Sequence, residues 1–180
     1  MTIGCLGWGS LVWDPRDLPL RGEWFLDGPL IPIEFSRQSQ DGRITLVIDT
    51  RAKLVRSLWA ILSVDDLDAA ISSLARREGI TNNLREKIGR WAGTDDENVV
   101  TRAIGTWAQR AGLDAVVWTA LSPKFNGQPK RPSKTRLLKY LRDLPSEKQR
   151  RAETYIRKAP RQIDTDFRRA IELRLGWTRY

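Results

Sequence analysis

The turn after the first apolar segment carries groups that could bind an anion. Trp8, Gly9 and Ser10 follow an apolar run, Thr2–Leu6, and Gly7 and Gly9 bracket the tryptophan. Glycine lets a backbone approach a ligand closely, so the N–H groups near Gly9 and the hydroxyl of Ser10 could cradle a carboxylate or an oxyanion. The same glycines could instead serve only the twist of a sheet or a bulge.

Glu78 is the second candidate for chemistry, because it follows Arg76 and Arg77 at the end of a predicted helix. The C-terminus of a helix carries partial negative charge, so a glutamate is disfavoured there unless neighbouring arginines offset the field. A carboxylate is one of the few groups in this chain that could accept a proton and return it during a reaction. Taken alone, the position is better explained by a structural glutamate than by a catalytic one.

The residue inventory excludes several kinds of catalytic site. The 180 residues include no histidine and a single cysteine, Cys5. An internal disulfide is therefore impossible, the usual zinc and transition-metal ligand sets cannot be assembled, and Ser-His or Cys-His pairs are excluded. An enzyme of this composition would use carboxylates, hydroxyls, backbone amides, Lys or Arg, and we predict no metal site.

The first third of the chain predicts the strands that would carry these groups. A buried strand is expected at Thr2–Leu6, followed by the turn and a turn-rich stretch at Asp14–Pro19. Three apolar runs then indicate strands with mostly antiparallel neighbours, joined at one point by a hairpin turn at Asp41-Gly42. The three runs are Leu30–Ser36, Arg43–Asp49 and Val55–Ser63.

Helical periodicity dominates the remainder of the chain. A helix is predicted over 64–77, with Ser63 as its N-cap and Gly79 near its end. Strands grouped early and helices grouped late favour an α+β fold over a doubly wound parallel sheet, in one domain spanning residues 1–180. The other predicted elements are helices at Asn83–Trp91, Asp95–Ala111, Ser133–Leu141, Ser146–Lys158 and Thr165–Leu175, a strand at 113–121 and a loop at 122–132.

Positive charge is concentrated in the last third of the chain. Residues 1–120 carry 14 Lys/Arg and 16 Asp/Glu, whereas residues 121–180 carry 17 and 6, and the net charge is +9. Such asymmetry can mark a surface for nucleic acid, anionic lipid or an acidic partner, although solvated basic helix faces are common. No apolar run reaches the roughly 18–20 residues that span a bilayer, and no leader is recognised, so a cytoplasmic location without membrane association is predicted.

Three short segments within residues 2–80 match the motifs of one superfamily in order and spacing. Gly7–Trp13 is similar to the Gly-Tyr-Gly-Ser-Leu-Ile-Trp opening of ChaC-type glutathione-degrading cyclotransferases. Phe35–Leu46 resembles the ChaC stretch in which an arginine, a serine and a Gly-Arg pair precede a core strand. Leu74–Ile80 resembles the Leu-x-x-Gln-Glu-Gly motif of γ-glutamylcyclotransferases. The chain therefore resembles the γ-glutamylcyclotransferase-like superfamily.

This resemblance implies a small mixed, barrel-like β-sheet with flanking helices and a reaction that needs no cofactor. The α-amine of a γ-glutamyl group attacks its own γ-carbonyl, closes the lactam ring of 5-oxoproline and expels an amine. By motif match, the amides of Gly9, Ser10 and Leu11 hold the γ-glutamyl group, Glu78 is the acid/base, and the loop and the carboxylate are expected to face one substrate.

Two further residues take roles from the resemblance, and one segment departs from it. Trp8 stands at the family's usual tyrosine, where it offers an apolar wall but no phenolic oxygen. Arg37 is a candidate partner for a substrate carboxylate or, equally, a surface residue at a strand end. The family continues soon after its glutamate into a strand with an aromatic residue, whereas two helical segments are predicted here before the strand at 113–121.

Two other functions stay open. The chain could be a non-catalytic binding module with a cyclotransferase-like cavity, whose basic helical region at 122–180 contacts nucleic acid or an acidic protein. It could also be a toxin or stress-associated accessory domain that acts on an unusual γ-glutamyl amine. Only weak, nonspecific nucleic-acid binding is predicted, because the Lys and Arg residues are spread over several helices without an aromatic stacking platform.

Overall fold

The computed structural model describes residues 1–93 and 98–180. Within these residues the chain forms strands and helices in mixed order. The strands are β1 (Ile3–Gly7), β2 (Leu20–Phe25), β3 (Leu30–Gln38), β4 (Ile44–Ile48), β5 (Leu54–Arg56), β6 (Leu58–Leu62), β7 (Ile88–Trp91) and β8 (Ala115–Thr119). The helices are α1 (Ser10–Trp13), α2 (Leu67–Glu78), α3 (Leu84–Lys87), α4 (Val99–Arg110), α5 (Lys134–Arg142), α6 (Ser146–Lys158) and α7 (Asp166–Leu175).

The chain divides into two compact units, and each is assembled from separate stretches of sequence. Unit 1 comprises Met1–Gly7, Asp14–Ile31 and Arg56–Leu121. Unit 2 comprises Trp8–Trp13, Pro32–Val55 and Ser122–Tyr180.

Unit 1 is built on a five-stranded sheet in the order β2-β6-β1-β8-β7. The central pair, β1 and β8, is parallel, and the other neighbours are antiparallel. Helices α2 and α4 pack against β7 and β8. Gly105 in α4 has no side chain where the indole of Trp91 lies, so the tryptophan can pack directly on the helix backbone. All five residues of β1 are buried, which places this strand in the core of the unit.

Unit 2 combines the three-stranded sheet β4-β3-β5 with the last three helices. Strands β3 and β4 are antiparallel, and α6 packs on β4. Arg168 of α7 is fully buried, and its guanidinium donates to the carbonyl oxygens of Ala159 and Pro160, both at 2.7 Å. Hydrogen bonds from Nη1 and Nη2 offset part of the cost of burying this guanidinium, and through them Arg168 ties the end of α6 to the start of α7.

The predicted α+β class is confirmed, as a mixed five-stranded sheet, a three-stranded sheet and helices. The hairpin at Asp41-Gly42 is also confirmed, with Gly42 at a φ of 88° between the antiparallel β3 and β4. Helix α2 ends at Glu78 and is closed by Gly79, whose φ is 68°, but it begins at Leu67 and its N-cap is Asp66 instead of Ser63. The side chain of Asp66 caps it by accepting from the N–H of Ala69 at 2.7 Å.

Three predicted or missed segments need correction. The run Val55–Ser63 forms two strands, because the buried Ser57 between β5 and β6 bonds the carbonyl oxygen of Pro29 through both its N–H and its hydroxyl. Strand β2 was not predicted, since it lies at the sheet edge and exposes most of its residues. The segment Asn83–Trp91 is helical only in α3; in β7 the buried Ile88 and Trp91 are three residues apart, a spacing that imitates a helix.

The remaining helices and the last strand fall close to their predicted bounds. The predicted helix Asp95–Ala111 corresponds to α4, and its residues 95–97 lie outside the described residues. Strand β8 and helices α5, α6 and α7 match the predictions to within about two residues at most of their ends. Across the described parts of the chain, no helix is long and apolar enough to cross a membrane.

Candidate functional site

The glycine turn belongs to unit 2, where its tryptophan is part of the core. Trp8 is 5% exposed, and its indole N–H donates to the carbonyl oxygen of Leu46 in β4 at 3.2 Å. The position that the resemblance assigns to an apolar wall is therefore occupied by a side chain fixed on the sheet of its own unit. Leu11, also 5% exposed, is the buried residue of the short helix α1.

Gly9 has a specific packing reason to lack a side chain. A Cβ atom at this position would lie 2.5 Å from the hydroxyl oxygen of Tyr155, which reaches the turn from α6. The same hydroxyl accepts a hydrogen bond from the N–H of Leu46 at 3.3 Å. Contact with Tyr155 therefore gives a structural reason for the glycine. It also places a phenolic oxygen at the turn, where the side chain of Trp8 has none.

Ser10 and Arg37 are the remaining candidates in unit 2. Ser10 is half-buried and begins α1, where the N–H of Val12 donates to the carbonyl oxygen of Gly9 at 3.0 Å. Arg37 lies near the end of β3, and its guanidinium donates to the carbonyl oxygen of Ser122 at 2.7 Å. Burial lowers the pKa of Arg37 from its usual value. Arg37 thus fastens the 122–132 loop to the sheet, which favours the structural interpretation of this residue.

Glu78 belongs to unit 1 and is held by the arginine that precedes it. It is the last residue of α2, its side chain is 19% exposed, and its Oε1 accepts from Nη1 of Arg77 at 2.8 Å. The guanidinium offsets the partial negative charge of the helix end, as the sequence suggested an arginine would have to do. Glu78 is therefore a partly buried carboxylate in a fixed ion pair rather than a solvated surface group.

Arg77 is in turn anchored on the loop that follows the glycine turn in sequence. Its side chain is 5% exposed, and its Nε and Nη2 both donate to the carbonyl oxygen of Asp14, at 3.2 and 2.6 Å. Arg16 donates back to the carbonyl oxygen of Arg77 at 3.4 Å. The Asp14–Arg16 segment and the end of α2 thus form one hydrogen-bonded cluster within unit 1.

The pKa of the Cys5 thiol, in strand β1, is affected by the charges of this cluster. Cys5 is fully buried, and its pKa is raised well above the usual value, first by burial and then by the negative charge of Glu78, with Arg77 acting in the opposite direction. A thiol with a raised pKa stays protonated and is a poor nucleophile at neutral pH. Cys5 is therefore a packing residue, and the ionisable chemistry at this end of α2 rests with Glu78.

The structure thus groups the predicted site residues by unit. Trp8, Gly9, Ser10, Leu11 and Arg37 lie in unit 2, and Glu78 lies in unit 1. Two neighbours were not singled out from the sequence as parts of a site. Tyr155 gave no signal, because it reads as an ordinary core position of a helix. For Arg77, the sequence indicated only that Glu78 needs a positive charge beside it, and not the hydrogen bonds that Arg77 makes.

No group of three or more Cys, Asp or Glu side chains that could hold a metal ion occurs in the parts of the chain that the structure describes. No family model matches the chain, and a search of curated proteins finds no significant match.

Proposed function

We propose that the chain is a γ-glutamylcyclotransferase-like enzyme, with the corresponding fold, that releases 5-oxoproline from a γ-glutamyl amine or peptide. In this reaction the α-nitrogen of the γ-glutamyl group bonds to its own γ-carbonyl carbon, and the bond from that carbon to the departing nitrogen breaks. The nucleophile is tethered to the electrophile, so the substrate itself supplies much of the required proximity. The protein needs to fold the substrate, move protons and stabilise the oxyanion.

The observation that carries the proposal is the state of Glu78. A carboxylate that serves as acid/base must be oriented, and here Oε1 is fixed by Arg77 while the side chain keeps 19% of its surface accessible. In the proposed mechanism Glu78 takes a proton from the α-ammonium group and returns it to the departing nitrogen. The amides of Gly9, Ser10 and Leu11 hold the γ-glutamyl group, as the motif match implies.

The chain after Glu78 adds support, because it is closer to the family pattern than its sequence suggested. The resemblance calls for a strand with an aromatic residue soon after the glutamate. Strand β7 follows the four-residue helix α3, and it carries Trp91. Helices α3 and α4 still precede β8, as predicted, but β7 lies between them.

The test is a survey of γ-glutamyl amines and peptides, including glutathione, with chromatographic detection of released 5-oxoproline. Glu78→Gln keeps the side-chain volume but cannot accept a proton at neutral pH. We expect turnover to fall by about 10²–10⁴-fold, the usual contribution of general acid–base catalysis. The variant should stay folded but have a lower melting temperature, because the charge that pairs with the buried Arg77 is lost. The exposed Glu86→Gln in α3 is the matched control and should keep full activity.

Two results would argue against the proposal. Wild-type protein that releases no 5-oxoproline from any member of the panel would remove the activity altogether. An active wild type whose Glu78→Gln variant turns over normally would remove Glu78 from the mechanism while leaving the activity in place.

A second function has one observation in its favour. Several exposed basic side chains of α5 and α6 have no carboxylate partner in the described residues, namely Lys134, Arg136, Arg142, Lys148 and Arg150. A binding module for nucleic acid or an acidic protein would use such a surface, with or without the cyclotransferase reaction.

A further inference from the structure

The contact between Arg77 and Glu78 is unusual for two adjacent helical residues. Side chains at i and i+1 leave an α-helix about 100° apart and do not normally face each other. Here the pair meets at the last turn of α2, where Gly79 reverses the chain with a φ of 68°. The guanidinium reaches Glu78 while two of its nitrogens are held by the carbonyl oxygen of Asp14.

Burial of this guanidinium has an energetic cost that packing alone does not require. Arg77 is 7% exposed, and removing an arginine from water is repaid only through charge pairing and hydrogen bonds. An apolar residue of similar volume would fill the same space at the end of α2 without that cost. An arginine at this position is explained if its cation orients the Glu78 carboxylate, which an apolar side chain could not do.

We infer that Arg77 is a positioning residue that orients the Glu78 carboxylate for proton transfer, an inference that rests on the proposed function. The anchor on Asp14 fixes the guanidinium, and the guanidinium fixes one oxygen of the carboxylate. The other oxygen is then directed by the plane of the group. Because arginine does not lose its proton in proteins, it can hold the carboxylate without competing for the proton that Glu78 moves.

The test is the kinetics of Arg77→Met with the best γ-glutamyl substrate found in the survey. We expect kcat to fall by about 10- to 100-fold, because loss of orientation of about 1 Å has effects of that size, while KM stays within about twofold. Arg76→Met is the matched control, since Arg76 lies on the same turn of α2 but is exposed. Its kcat should equal that of the wild type.

A double variant separates positioning from general structural support. If Arg77 acts through Glu78, adding Arg77→Met to Glu78→Gln should cause no further loss of kcat. Arg77→Lys keeps the charge but lacks the planar fork that joins Asp14 to Glu78, so it should recover only part of the activity. It also serves as the test variant if Arg77→Met does not fold.

The possible outcomes separate the positioning role of Arg77 from the proposed cyclotransferase activity. A wild type without 5-oxoproline release overturns both. An active wild type with an unchanged kcat in Arg77→Met and Arg77→Lys overturns the positioning role alone. Independent, additive losses from Arg77→Met and Glu78→Gln would likewise show that Arg77 does not act through Glu78.

Discussion

At the scale of single residues, the contact with Tyr155 is enough to explain why position 9 is a glycine, whether or not a ligand binds there. The tyrosine packs edge-on against Trp13, with ring centroids 5.4 Å apart, and its hydroxyl lies at the backbone of the glycine turn. The guanidinium of Arg43 lies over the ring of this tyrosine, 5.4 Å from its centroid. A side chain from the C-terminal region is therefore part of the immediate surroundings of the turn.

The first prediction concerns Gly9→Ala. The new Cβ would lie 2.5 Å from the Tyr155 oxygen, so we expect a destabilisation of about 1–3 kcal/mol, typical of overpacking. In a Tyr155→Phe background the next nearest atom, the ring carbon that bore the hydroxyl, is 3.6 Å away, so the same substitution should cost much less. Urea unfolding of the four proteins measures this coupling. Equal costs in both backgrounds would contradict the contact.

Sequence reasoning reached the residues whose type or neighbours are distinctive and missed those defined by tertiary contact. Glu78 could be selected because a carboxylate at a helix end calls for compensation, and Gly9 because glycine is conspicuous. Tyr155 lies more than a hundred residues from the turn, and nothing in its local pattern connects it to Gly9. The anchoring of Arg77 on a backbone carbonyl leaves no trace in side-chain identities at all.

At the scale of elements, charged side chains hold the C-terminal segment on α7. Asp164 precedes the helix and accepts two hydrogen bonds from Nε of Arg169, both at 3.1 Å. Arg179 from the end of the chain bonds the same carboxylate, and its Nε also donates to Glu172 at 2.7 Å. These bonds, led by those from Arg169, hold the pKa of Asp164 below its usual range.

A pH prediction follows for Asp164→Asn. Because the pKa of Asp164 is depressed in the folded state, its stabilising contribution is present above the unfolded value of about 3.9 and is lost as pH falls through the folded value. At pH 7 we expect the variant to be less stable by about 1 kcal/mol, a modest figure because the carboxylate is partly solvated. Urea titrations between pH 7 and pH 3 should show this difference shrinking below about pH 4. A difference that is constant over the whole range would contradict the assignment.

Helices with a clear hydrophobic period could be predicted from the sequence, whereas the two edge strands of the five-stranded sheet, β2 and β7, could not. Helix α6 has the predicted bounds, and α7 begins one residue after its predicted start, with Thr165 as the N-cap that accepts from the N–H of Arg168 at 3.1 Å. The strand β7 was hidden because Gly89 is needed to make room for the indole of Trp118 on the neighbouring strand. A glycine in that role weakens the strand signal while the pairing itself is favourable.

At the scale of the whole molecule, positive charge is the feature most open to experiment. The Lys and Arg residues of the last third fall into two groups. Some are paired along the helix, such as Lys139 with Asp143 and Arg151 with Glu147. Others, such as Lys134 and Arg136, are exposed and have no carboxylate partner in the part of the chain that the structure describes. Only the second group is free to replace the counterions of a polyanion.

We therefore expect weak binding of a labelled single-stranded oligonucleotide that fades as salt rises. Fluorescence anisotropy across a salt series should give a linear decrease of log affinity with log salt concentration. Lys134→Ala with Arg136→Ala should reduce the magnitude of the slope by about 1.4, or about 0.7 for each lost contact with a single strand, whereas the paired control Lys139→Ala with Arg151→Ala should change it less. Tight, sequence-selective binding that persists at high salt would contradict this and favour the binding-module function.

The interleaving of the two units has a consequence for synthesis on the ribosome. All three stretches of unit 1 have been made once residue 121 has been added, whereas unit 2 needs residues up to 180. Until α6 emerges, Gly9 and the N–H of Leu46 lack the hydroxyl of Tyr155 that contacts both of them in the finished protein. Unit 1 can therefore acquire its sheet before residues 122–180 have been made, whereas unit 2 reaches its native packing only after they have been made. For the same reason no contiguous fragment of the gene encodes either unit alone, and a deletion that extends back through Tyr155 would leave the glycine turn without its tyrosine.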